Sequence, residues 1–181
     1  MNILFYDTET TGFPRTKVGW AHSDQPHLVQ LAGLVVDSDS REIINSMCEI
    51  VIPDGWDIPE QAIRVHGITP ENATSHGMPE DQVIQLFTEL MEQAEMRVAH
   101  SQLFDERIIR VALHRYAIDM VPYWDHMLFE CTGHMSKVAM VSRTMPSLND
   151  AYRFVTQRDI ENAHDAHADT NACMEVFFGL R

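Results

Sequence analysis

The feature that most constrains this chain is the end of its first apolar run. Ile3, Leu4, Phe5 and Tyr6 read as a strand that stops at two carboxylates, Asp7 and Glu9, followed by Thr10, Thr11 and Gly12. Residues two apart in a strand face the same way. Asp7 and Glu9 are therefore expected side by side at the end of a central strand. Adjacent carboxylates repel unless a cation neutralises them. The pair reads as half of a divalent-metal site built from hard oxygen ligands. The competing reading is a solvated strand end entering a glycine turn, and this stretch alone does not choose between them.

A chain of 181 residues can bury a sizeable core in one domain, and 1–181 is read as a single domain. No apolar run approaches bilayer length. The N-terminus has neither a basic region ahead of its apolar run nor a small-residue cleavage site, so no signal peptide and no membrane association are expected, and the expected location is cytoplasmic. Cys48, Cys131 and Cys173 are odd in number and widely spaced, as reduced structural cysteines are. Cys131 and His134 have ligand-like spacing, but no second pair completes a zinc site. The formal charge of −14 opposes broad electrostatic binding to nucleic acid. Divalent cations in a carboxylate-lined site can invert that field locally.

Phe13 to His27, with Pro14, Gly19 and Pro26, reads as a long loop carrying Arg15, Lys17 and Trp20. Leu28 to Val36 and Glu42 to Ile52 read as strands joined by a turn at Asp37 to Ser40, which with the first strand predicts an antiparallel meander. Pro59 to Val65 predicts a short helix stopped at Gly67. Pro79 opens a longer one with Val83, Phe87, Leu90, Met91 and Ala94 at helical spacing. Arg97 to His100 predicts a strand, followed by a helix with Asp105 in its first turn. Val121 to Asp125 predicts a short terminal strand, and Asp125 to Lys137 a helix. Ser147 and Asp150 have capping spacing. Between Lys137 and Arg158 there are four basic residues and one acidic, a candidate surface for backbone contact. The last helix is expected to begin near His164.

Three separated features carry chemistry: Asp7-x-Glu9, Asp105 shortly after His100, and His164 five residues before Asp169. Brought together, four carboxylates can hold two divalent cations, typically ~3.5–4 Å apart, which activate water and stabilise a leaving oxygen. An imidazole beside them can take the water proton near neutral pH. His100 next to a buried strand reads as a structural hydrogen-bonded histidine. Asp165 and His167 read as local accompaniments of the third feature.

Asp7-Thr-Glu-Thr-Thr-Gly12, His100-Ser-Gln-Leu-Phe-Asp105 and His164-x4-Asp169 together resemble the three motifs of the DEDDh group of 3′–5′ exonucleases, and the resemblance spans nearly the whole chain. That group includes the proofreading subunit of bacterial replicative polymerase, oligoribonuclease and ribonuclease T. Val65-His-Gly-Ile-Thr69 also looks like a family segment. The resemblance implies a ribonuclease-H-like α/β fold, a mixed five-stranded sheet flanked by helices. It implies two divalent ions, Mg²⁺ with Mn²⁺ as substitute, held by Asp7, Glu9, Asp105 and Asp169, with His164 as general base. It implies substrate contacts at Thr10, Thr11, Gly12, Phe13 and His66. The substrate class is a nucleic-acid 3′ end, DNA before short RNA, and a DNA polymerase or replication complex is an implied partner. The region from Met135 to Tyr152 looks closest to proofreading-like exonucleases. Ser101 stands where Asn is frequent, and the loop after Phe13 looks expanded, which bears on substrate more than on catalysis. A non-catalytic binding module and a zinc hydrolase using His164, His167 and Asp169 are the contrasting functions.

Overall fold

The computed structural model describes residues 1–181, the side chain of Gln102 excepted. Its strands are β1 (Asn2–Thr10), β2 (Leu28–Asp37), β3 (Ile43–Ile50), β4 (Met96–Ala99) and β5 (Leu128–Cys131). Its helices are α1 (Glu60–His66), α2 (Pro70–His76), α3 (Glu80–Met91), α4 (Gln102–Tyr116), α5 (Val121–His126), α6 (Thr132–Ala139), α7 (Leu148–Thr156) and α8 (Ala166–Gly179). The strands form one sheet in the order β3-β2-β1-β4-β5. The β1-β2-β3 meander is antiparallel, while β4 and β5 run parallel to β1. The expected mixed five-stranded sheet flanked by helices is therefore present, with β1 at its centre.

β1 is buried on both faces, which explains its uninterrupted apolar run. Strand alternation sends Leu4 and Tyr6 to one face, where they pack with residues of α3, α4 and α5 such as Phe87, Ile109 and Trp124. It sends Ile3 and Phe5 to the other, against Cys173 and Phe177 of α8. The same alternation, carried two residues further, puts Thr8 on the α4 face and Asp7 and Glu9 on the α8 face. Helices, with a period of about 3.6 residues, bring their own stripes along: Asp169 precedes Cys173 by four residues, one turn towards the start of α8.

Several expectations hold locally. Gly67 ends α1 with φ 74°, a conformation that glycine adopts without steric cost. The Ser147 hydroxyl accepts from the Asp150 N–H at the start of α7. Others are corrected. Val121–Asp125 is helix, not strand: Pro122 occupies the first turn, where its missing N–H costs nothing, and Trp124 is driven fully inside against Tyr6, with ring centroids 5.4 Å apart. The edge strand is the next segment, β5, so the helix expected over Asp125–Lys137 is interrupted and restarts at Thr132. A four-residue apolar run is too short for periodicity to separate strand from helix. α2 was not anticipated, although Thr69 caps it and Pro70 opens it. α8 begins at Ala166 with Asp165 as its cap, so His164 lies outside the helix.

Candidate active site

Each carboxylate is set by a different device. Asp7 and Glu9 follow from the β1 alternation, with Asp7 paired opposite Ala32 and Glu9 opposite Gln30. Asp105 sits in the first turn of α4 and accepts a 2.8 Å hydrogen bond from the Thr8 hydroxyl, which ties the helix start to β1. Asp169 sits in the first turn of α8. That start is tied to β2: Gln30 accepts from the Ala166 N–H at 3.0 Å and donates to Asp165 at 3.1 Å. Asp165 also caps α8 by accepting from the Ala168 N–H. This residue therefore works as a clamp. His167 is exposed, and its ring meets Asn171 in the next turn.

His164 is exposed and lies in the left-handed region at φ 69°. A non-glycine residue there stores ~1–3 kcal/mol of strain and requires support. The support is visible: the His164 N–H donates to Asp169 Oδ2 at 3.1 Å. The turn brings the imidazole back over the carboxylates. Ligand atoms of Glu9, His164 and Asp169 all lie within 4.8 Å of one another, and this is the one such His/Cys/Asp/Glu group among the described residues. Cys131 and His134 form no such group; the Cys131 thiol instead donates to the His100 carbonyl. His100 is structural as expected, its ring held between the Thr132 hydroxyl and the Pro146 carbonyl, each at 3.0 Å.

Beside the carboxylates is a cavity of about 410 Å³ bounded by Thr10 to Phe13 on one side and by Val65 and His66 on the other. The residues expected at the substrate site on both sides of this cleft are thus brought together. Phe13 is 84% exposed and meets Phe104 edge to face at 5.6 Å. The sequence places Phe104 in the second motif, directly before Asp105, but gives it no role of its own. The polar groups of Thr11 are turned away: its N–H donates to the His27 carbonyl and its hydroxyl accepts from the His27 N–H, which anchors the long loop. His66 Nδ1 accepts from the Ile68 N–H at 3.0 Å, so the ring proton of the neutral imidazole belongs on Nε2, which is buried without a partner. Burial, and then His164 nearby, hold its pKa below the usual histidine range.

The profile of the exonuclease family typified by ribonuclease T matches residues 4–177. The chain belongs to this DEDD 3′–5′ exonuclease family. Among solved structures it is similar to E. coli exonuclease I in complex with a dT13 oligonucleotide, with 21% identity and a TM-score of 0.75 over 96% of this chain and 39% of that one. A product-bound exonuclease I gives 19% identity and a TM-score of 0.76, covering 98% and 42%. The chain thus spans about two fifths of the length of these structural relatives. No curated protein sequence matches it.

In this exonuclease-family chain the carboxylates are electrostatically frustrated. Burial first, then Asp105, Asp169 and Glu9, raises the Asp7 pKa well above the usual range. Glu9 is pushed up to about 8 by burial and by Asp169, and Asp105 to about 7, chiefly by burial. Asp169 is raised too, and its Oδ1 is buried without a hydrogen-bond partner. Buried carboxylates that repel one another and leave an oxygen unpaired fit a divalent cation.

This has a measurable consequence. A carboxyl whose folded pKa lies above its unfolded value binds protons preferentially in the folded state, so its contribution to stability is present at low pH and lost as pH rises. For Glu9 and Asp105 the window runs from about pH 4 to about pH 8. With chelator present, the melting temperature is expected to fall across that window. A divalent cation at a hundred times its dissociation constant adds ~2.7 kcal/mol, or ~5–10 °C in a domain of this size. Because binding displaces protons, the increment at a fixed metal concentration grows from pH 5.5 to pH 8. Scanning calorimetry with and without Mg²⁺ checks this; an increment that shrinks with pH contradicts it.

Proposed function

We propose that this chain is a metal-dependent 3′–5′ exodeoxyribonuclease of the DEDDh type, a single domain over 1–181 that acts in the cytoplasm. One observation carries the reading. Carboxylates from β1, α4 and α8 lie close enough to raise one another's pKa, with His164 held over them by Asp169. Asp7, Glu9 and Asp169 would hold one divalent ion, and Asp7 and Asp105 a second. Bound there, Mg²⁺ or Mn²⁺ would supply charge neutralisation at the scissile phosphate and a more acidic water.

The side chains then divide the work. Asp7 and Glu9 would hold the ions in place from a rigid central strand. His164 accepts the proton of the water whose oxygen attacks phosphorus. The bond from phosphorus to the 3′ oxygen of the preceding nucleotide breaks, and that oxygen takes a proton from solvent. The released product is a nucleoside 5′-monophosphate. Phe13 offers an exposed ring for stacking on the terminal base, an interaction worth ~1–3 kcal/mol. The buried, unpartnered Nε2–H of His66 is a donor for the terminal sugar or base. The dT13 complex of E. coli exonuclease I supports DNA as the substrate class.

A panel of 5′-labelled single-stranded DNA, duplex DNA, mismatched primer ends and short RNA, each with Mg²⁺ or chelator, tests the reading. Stepwise shortening of DNA from the 3′ end with metal alone is expected. Release from the 5′ end only would sink it. Faster loss of RNA than DNA would make the chain an exoribonuclease, and metal-dependent binding without release would make it a non-catalytic module.

A further inference from the structure

The segment that delivers His164 is an arch between two fixed feet. α7 ends at Gln157 in the left-handed region, φ 60°, and the chain turns back towards the start of that helix. Glu161, Asn162, Ala163 and His164 are then all exposed, with Asn162 at φ 59° and His164 at φ 69°. A stretch with no buried side chain has little packing of its own to fix its course. Two left-handed non-glycine residues within three positions keep their strain only while the surroundings hold them. The downstream foot is the clamped start of α8, where the Asp165 N–H closes the arch by donating to the Asn162 carbonyl at 3.1 Å.

The upstream foot is Ile160. Its side chain packs with Ala151, Tyr152, Ala172 and Val176, between α7 and α8. Its N–H donates to Asn149 Oδ1 at 2.9 Å. The nitrogen of the same amide donates to Asp159 Oδ1 at 3.2 Å, and Asp159 also accepts from Arg153 Nε at 2.8 Å. We infer that Asn149 and Asp159 are positioning residues for His164: they fix the upstream foot of the arch that carries the imidazole over the carboxylates. The inference rests on the exonuclease reading above.

The division of labour at this foot follows from what each contact can fix. Burial of Ile160 sets how deep the foot sits, but an apolar contact is not directional. A planar amide that accepts from one backbone N–H and donates to the neighbouring side chain sets direction as well. Asn149 is half-buried in the first turn of α7, so its own place is fixed. The ion pairs of the loop, Arg153 with Asp159 and Arg158 with Glu175, join exposed side chains, and such pairs contribute little alone. α7 packs on α8, and the first turn of α8 bears Asp169. Through Asn149 the base is therefore referenced to the same pair of helices as the carboxylate beneath it.

A double-mutant cycle with His164 separates positioning from general support of the fold. In Asn149→Ala, kcat on a 5′-labelled oligothymidylate with Mg²⁺ is expected to fall ~10–10²-fold, the scale of a reacting group misplaced by about 1 Å. KM and the Mg²⁺ midpoint should stay within ~2-fold, because neither substrate nor metal touches Asn149. In a His164→Ala background the same substitution should cost less than ~2-fold, since a residue that acts through the imidazole then has nothing left to position. An equal loss in both backgrounds, or an unchanged kcat in Asn149→Ala, overturns the inference. A Mg²⁺ midpoint that moves as much as kcat overturns it too. An exchange of partners covers the case in which Asn149→Ala does not fold. Asn149→Asp sets a second carboxylate against Asp159 and should lose rate. Adding Asp159→Asn re-forms the carboxylate–amide pair with donor and acceptor exchanged, and should restore kcat to within ~3-fold of wild type. An exchange that recovers no rate overturns the inference. Wild-type protein that shortens no oligonucleotide overturns the exonuclease reading itself.

Discussion

Asp7→Asn is expected to lower kcat at least ~10³-fold while leaving the protein folded. Asp7 is the carboxylate that meets the fields of Asp105, Asp169, Glu9 and Asp165 together, so it sits where a cation would be shared. Asparagine keeps the shape and one acceptor oxygen but removes the charge. Metal ions contribute several kcal/mol of charge stabilisation to phosphoryl chemistry, and each ~1.4 kcal/mol is a factor of ten in rate. The sign of the stability change is opposite to that of the activity. Without metal, the folded state resists ionising Asp7, because burial and neighbouring carboxylates raise its pKa. The neutral isostere removes that penalty, so the chelated variant should melt higher than chelated wild type at pH 8, and the difference should narrow towards pH 4. Turnover above a tenth of wild type would exclude Asp7 as a ligand. A lower melting temperature in chelator at pH 8 would remove the electrostatic argument.

His164→Ala is expected to lower kcat by ~10²–10⁴, the usual worth of a positioned general base, with the Mg²⁺ midpoint moved less than in Asp7→Asn. The imidazole is within reach of both Glu9 and Asp169, so it is also placed to act as a ligand, and the two roles predict different things. Loss of a base leaves metal affinity largely intact while the rate falls. A ligand shifts the metal midpoint as strongly as Asp7→Asn does. His164→Gly supplies a control. Residue 164 has φ 69°, which glycine accepts without strain, so the glycine variant should match alanine in rate and exceed it in melting temperature. An alanine variant as stable as the glycine one would mean the turn relaxes, and the rate loss would then no longer report the imidazole alone.

The chemistry was more legible than the architecture around it. Asp7, Glu9, Asp105, His164 and Asp169 could be picked out because each motif is short and its geometry is local. Strand period two puts Asp7 beside Glu9, and a first-turn position puts Asp105 and Asp169 at helix starts. Thr10 to Phe13 directly follow the first motif, whereas His66 stood out only through the family resemblance of Val65 to Thr69. Legibility failed wherever packing chose between similar local options. Val121–Asp125 became a helix because Trp124 could be buried against Tyr6, and Leu128–Cys131 took the edge of the sheet. No local pattern marks Gln30 as the residue that clamps the start of α8, or Thr8 as the one that holds Asp105. The last helix was expected to begin near His164. The cap at Asp165 excludes it and gives it the strained turn that aims it at the site.

The sequence by itself determined which groups are candidates for the chemistry and how they are spaced along each element, because that spacing follows from the two periods of regular backbone. Only the tertiary structure decided that α4 and α8, on opposite faces of the sheet, both begin at the carboxyl end of β1. That arrangement converts three local spacings into one charged centre. It holds because apolar stripes continuous with the carboxylates, Leu4 and Tyr6 on one face and Ile3 and Phe5 on the other, bury against those helices and fix where their first turns lie.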